Sequence, residues 1–137
     1  MRYMGIDYGD ARVGIALSDP LGMLSQRYTT LTNTGGKKLF EQIAAIINEK
    51  QVIHIVIGMP KNMDGTEGFR AEATYAFAER LKGYTNAEIS FWDERLTTVA
   101  AHGYLSELDV RGAKRKAAVD AVSAELILEG FMNSLKK

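Results

Sequence analysis

Along the first eighteen residues, apolar positions alternate with small or polar ones, the two-residue period of half-buried strands. Strands over 2–8 and 11–18 joined by a Gly9-Asp10 turn make a tight hairpin in which Asp7 faces Arg12 and Gly5 faces Gly14. One face then carries Gly5, Asp7, Arg12, Gly14, Ala16 and Ser18; the other carries Met4, Ile6, Tyr8, Val13, Ile15 and Leu17 and reads as core. The small residues leave room in front of the Asp7 carboxylate.

Tyr28, Thr29, Thr30 and Leu31 favour a third strand within 23–31. Leu39, Ile43, Ile46 and Ile47 recur at helical spacing and predict an amphipathic helix over 37–50. VIHIVIG, residues 52–58, is the β-branched run of a strand covered on both faces. The turn-rich GMPKNMDGTEG leads into a helix over 69–82, with Ala73, Phe77 and Leu81 on one stripe, and EISFWD forms a fifth strand. Two helices, about 96–108 and 114–135, close the chain. The strand-helix-strand crossover is right-handed, so strands four and five lie parallel. A three-stranded meander followed by α-β-α-β-α-α describes an α/β mixed sheet with helices on both faces, in one domain spanning residues 1–137.

Composition narrows the chemistry. The chain has 137 residues and no cysteine, which excludes disulfides and thiolate metal sites and leaves oxygen or histidine to hold any metal. No apolar run approaches the ~18 residues of a membrane span, so a cytoplasmic location with no membrane partner is expected. Seventeen basic residues balance seventeen acidic ones, so a nucleic-acid partner needs a local basic patch. Arg111, Lys114, Arg115 and Lys116 supply one, suited to phosphate contacts that position nucleic acid without reading its sequence.

Acids stand at three telling places: Asp7 ending the first strand, Asp93-Glu94 ending the fifth, and Asp120 on the last helix. Ligands of open α/β sheets gather beyond the carboxyl ends of parallel strands. Asp120 shares the stripe of Ala124, Ile127, Leu128, Phe131 and Leu135, so it points at the sheet; as a first-turn acid it would also suit the helix dipole. Three convergent carboxylates repel one another, and a divalent cation relieves that repulsion. Oxygen-only ligands select Mg²⁺ or Mn²⁺, which serve phosphodiester hydrolysis. Arg12 suits either a phosphate or an ion pair with the facing Asp7, the pairing being the expectation. His54, mid-strand, and His102, in a helix, read as structural histidines.

GIDYGDARVGIALSD, IGMPKNMDGTEG, DERLTT and KAAVDAVSAELIL, in that order, resemble the YqgF (RuvX) family, Holliday-junction-resolvase-like proteins also described as pre-16S rRNA nucleases. The resemblance covers essentially the whole chain. It implies a ribonuclease-H-like fold, a five-stranded sheet with strands 1–3 antiparallel and strands 1, 4 and 5 parallel. It also implies Asp7, Glu94 and Asp120 as catalytic acids and metal ligands. Asp93 stays open as an alternative or outer ligand, because strand parity aims it opposite to Glu94. Met59 and Phe69 depart from the family pattern, away from the acids.

A metal-dependent endonuclease maturing the 5′ end of pre-16S rRNA is the leading expectation. Resolution of four-way DNA junctions, for which a homodimer is expected, is the alternative within the same chemistry. A non-catalytic nucleic-acid-binding or transcription factor is the alternative outside it. An actin-like ATPase also opens with GxDxG but needs two such domains.

Overall fold

The computed structural model describes residues 2–60, 68–94 and 112–135, with side chains from residue 120 onward in the last stretch. Strands β1 (Arg2–Tyr8), β2 (Arg12–Ser18) and β3 (Ser25–Thr32) precede helix α1 (Lys37–Lys50). Then come β4 (Val52–Met59), α2 (Phe69–Leu81), β5 (Glu88–Asp93) and α3 (Gly112–Ser134). The strands form one sheet in the order β3-β2-β1-β4-β5. β1 pairs antiparallel with β2 and parallel with β4, β2 pairs antiparallel with β3, and β4 pairs parallel with β5. That is the expected mixed topology. The expected helix over 96–108 lies outside the described residues.

Two apolar layers sandwich the sheet. On one side Met4, Ile6, Val13, Ile15, Ile55 and Ile57 pack against Leu39, Phe40, Ile43 and Ile47 of α1 and Phe77, Ala78 and Leu81 of α2. On the other, Ala16 and Val56 meet Ala124, Ile127, Leu128 and Met132 of α3. β4 contributes to both, as its unbroken apolar run requires. The α3 stripe ends on buried Met132, while Leu135 is exposed.

The hairpin differs from expectation in register. Asp7 pairs with Gly14 and Gly5 with Ala16, two positions away from the Gly9-Asp10 turn pattern. The Gly9 N–H donates to the Arg12 carbonyl at 2.9 Å, so Asp10 and Ala11 form the turn. Neither has positive φ, so the left-handed turn that favours glycine is not used. The cause is tertiary. From beyond β3, the Asn33 side chain donates to the Gly9 carbonyl at 2.7 Å and the Asn33 N–H to the Ala11 carbonyl at 2.9 Å. A two-position shift preserves side-chain parity, so both faces keep their expected residues.

The small-residue face is not open space but the seat of α3. A Cβ at Gly5 would lie 2.6 Å from the Ala124 carbonyl oxygen, and one at Gly14 would run into the Asp120 carbonyl. Backbone meets backbone at both points, leaving no flexible side chain to yield. Gly14→Ala is therefore expected to cost about 3 kcal/mol or more in urea unfolding. Gly36→Ala, where a Cβ meets nothing within 4 Å, should stay within about 1 kcal/mol of the parent.

Candidate active site

β1, β4 and β5 run parallel, so their carboxyl ends share one edge of the sheet. Ile6 pairs with Ile57 and Met59 with Asp93, which brings Asp7 and the end of β5 to the same level across β4. Glu94 follows immediately. Its Oε2 lies 3.6 Å from where a Cβ on Gly58 would stand, which places the carboxyl over β4 on the way to β1. The Glu94 carboxyl reaches Asp7 and shares a side-chain hydrogen bond with it. Two acids 87 positions apart in sequence thus touch.

Asp120 arrives from the opposite direction, on the first described side-chain turn of α3 above Gly14. Its charge is felt at Asp7, but its own Oδ2 accepts a hydrogen bond from Arg12 Nε at 2.8 Å. Arg12 therefore pairs with Asp120, correcting the expectation that it pairs with Asp7. The register explains the difference: Gly14, not Arg12, stands opposite Asp7. Among the described residues, no group of three or more acids and histidines is arranged as a metal cage. The Asp7–Glu94 pair nonetheless fits a hard cation, because two carboxyls in hydrogen-bond contact need a shared proton or a positive ion between them.

Asp7 is buried, and its carboxyl is held well above the ordinary aspartate range. Burial is the largest cause, followed by the charge of Glu94, the hydrogen bond with it, and the charge of Asp120; Arg70 opposes them. Asp120 is raised by burial, against the hydrogen bond and charge of Arg12 and the charge of Arg70. Arg70 is a site residue that sequence patterning passed over. Its signal was a cation in the first turn of α2, where the helix dipole disfavours positive charge.

The remaining candidates divide. Phe91 packs on Tyr75 of α2 whereas Trp92 packs on Phe131 of α3, so alternation puts Asp93 on the α2 side and Glu94 with the acids. Lys114, Arg115 and Lys116 fall within the helical backbone of α3, in the turns leading to Asp120. Arg111 and His102 lie outside the described residues, as does most of GMPKNMDGTEG. His54 Nε2 and Ser90 Oγ are 2.8 Å apart, and the Tyr3 and Phe131 rings flank the imidazole, a satisfied histidine near the other end of β4.

The raised Asp7 has a stability consequence. The native chain holds this proton more tightly than the unfolded one. The resulting stabilisation is full below the ordinary aspartate pKa of about 3.9 and is lost as pH rises through the folded-state value. In chelator-containing buffer at pH 7, Asp7→Asn should raise the melting temperature by about 4 °C, on the order of 1 kcal/mol. The gain should shrink toward zero near pH 4. A lower melting temperature at pH 7 would contradict the assigned strain.

A family model described as RuvX, Holliday junction resolvase, matches residues 1–134. The "Putative pre-16S rRNA nuclease" of Clostridioides difficile is 46% identical over 132 residues, covering 96% of this chain and 94% of that protein. A protein of the same name from Clostridium botulinum is 45% identical over the whole length of both. In three dimensions, the Fowlpox virus resolvase bound to Holliday junction DNA covers 100% of both chains, with a TM-score of 0.61 at 11% identity. Thermus thermophilus RuvC has a TM-score of 0.56 at 8% identity, covering 100% of this chain and 98% of its own. Such low identities speak to the fold alone, which is that of the resolvases. With matched sequence from end to end and acids meeting where parallel strands finish, the chain belongs to the RuvX Holliday junction resolvase family.

Proposed function

We propose that this chain is a metal-dependent endonuclease that hydrolyses phosphodiester bonds in structured nucleic acid, and that 5′-end maturation of pre-16S rRNA in the cytoplasm is its task. One observation carries the chemistry: Asp7 and Glu94, from opposite halves of the chain, share a hydrogen bond at the carboxyl edge of the sheet, with Asp120 close enough for its charge to act on Asp7. The names of the full-length relatives favour the rRNA substrate.

Asp7, Glu94 and Asp120 would hold Mg²⁺ or Mn²⁺, which when bound supplies an activated water and charge for the leaving oxygen. Burial of Asp7 keeps bulk water from competing for its oxygens. Arg12, one-third exposed at the rim, has the forked donor geometry that takes a phosphate. Cations at the start of a helix work against its dipole, so Lys114, Arg115 and Lys116 there are better explained by a polyanionic partner than by helix stability. Arg111 continues that tract, and Asp93, aimed to the α2 side of β5, stands outside the ligand set on this reading.

Asp7→Asn should reduce Mn²⁺-dependent cleavage of a precursor 16S rRNA fragment on the order of 100-fold or more without lowering the melting temperature. Unchanged cleavage by the purified variant removes the proposal. A second reading, four-way DNA junctions cut by a homodimer, is favoured by the description of the matching family. Comparison of the rRNA fragment with a mobile junction at one salt concentration decides between them. The rRNA task predicts the faster rate on the fragment, and faster junction cleavage reverses the assignment.

A further inference from the structure

Asp120 is claimed twice. The nuclease reading needs its carboxylate beside Asp7 and Glu94, yet its Oδ2 is bound to Arg12 Nε at 2.8 Å. We infer that Arg12 is a positioning residue that couples capture of a substrate phosphodiester to completion of the acid cluster: it holds Asp120 while no phosphate is bound, and releases it when its guanidinium turns to the phosphate. The inference rests on the nuclease reading and adds to it an order of assembly.

Such an exchange needs only two side chains to move. The α3 backbone is seated directly on the hairpin, the Asp120 carbonyl over Gly14 and the Ala124 carbonyl over Gly5. Ala121, Val122 and Ala124 are buried around it. The Arg12 backbone is equally fixed, by its carbonyl bond to Gly9 and by the Asn33 clamp on the turn. What remains free is rotation of the Asp120 carboxylate and of the Arg12 side chain, whose exposures of 21% and 33% place the pair at the surface. The pair is part-buried at the rim, within reach of an incoming phosphodiester, which offers the guanidinium a two-oxygen partner in exchange. Arg70 provides the contrast: its charge acts on Asp7 and Asp120, whereas Arg12 is bonded to Asp120 directly.

The test is Mn²⁺ affinity of the full chain by calorimetry, with and without a saturating phosphorothioate-linked RNA hairpin as a slowly cut probe. In the parent protein the RNA should tighten Mn²⁺ binding roughly 10-fold, and Mn²⁺ should tighten RNA binding by the same factor. Arg12→Gln should bind Mn²⁺ about 10-fold more tightly in the absence of RNA and show a coupling factor near 1. Arg70→Gln removes a charge felt by the same acids and should keep the coupling. Mn²⁺ carried by the RNA itself is common to all three proteins and cancels. Coupling undiminished in Arg12→Gln, or lost equally in Arg70→Gln, overturns the inference. Mn²⁺ binding in the parent that is indifferent to RNA overturns it while leaving the nuclease reading intact. No Mn²⁺ binding to the parent at millimolar concentration overturns both.

Discussion

The contact on which everything else rests is the seating of α3 on the backbone of the β1–β2 hairpin. Gly5 and Gly14 remove the two side chains that would hold the helix at the ordinary separation, and the carbonyls of Ala124 and Asp120 occupy the vacated volume. Glycine in strands is costly, since it has no side chain to pack and more backbone freedom to lose. Here that loss is offset by burial of Ala124, Ile127 and Leu128 against the sheet. The same approach lowers Asp120 onto the hairpin one strand away from Asp7. Helix packing and site assembly are therefore one event, and a methyl group at Gly14 would disturb both.

Electrostatics run against this arrangement. A buried carboxylate beside a second one, with a third nearby, is a configuration folding alone would not favour, and the elevated proton affinity of Asp7 is its direct expression. Two arginines moderate it from opposite sides: Arg12 by direct bonding to Asp120, and Arg70 through its charge from the first turn of α2. Neither removes the contact between Asp7 and Glu94. Strain of this kind at the mouth of a sheet is what a site retains when its charge is completed by something outside the polypeptide.

Hydrophobic periodicity made most of the frame legible. α1 spans Lys37–Lys50 as its stripe predicts, and β4 falls on its apolar run, because burial of those residues dominates any local preference; β5 falls on EISFWD although none of its residues is fully buried. The hairpin register escaped for the opposite reason. Local turn chemistry favoured Gly9-Asp10, but two hydrogen bonds from Asn33, more than twenty residues away, fix the turn at Asp10-Ala11. Parity survived the shift, so Asp7 was placed on the correct face although its partner was not. The identity of the Arg12 partner could not be read, because it depends on how close α3 approaches, and that distance is set by Gly14 two positions along the same strand and by Gly5 on β1. Arg70 carried a signal, an unfavourable first-turn charge, but an isolated one.

The parallel half of the sheet accounts for why these acids, and no others among the described residues, meet. β1 sits between an antiparallel neighbour and a parallel one, so its carboxyl end belongs both to the hairpin turn and to the row formed by β4 and β5. Asp7 is thereby reachable from β5 across Gly58 and from α3 across Gly14, two bare positions on the strands that flank β1. A Cβ at Gly58 would run into the Ile127 side chain of α3 and stand in ordinary contact with the Glu94 carboxylate. The bare positions lie under both approaches to Asp7, that of Glu94 from the end of β5 and that of Asp120 from α3.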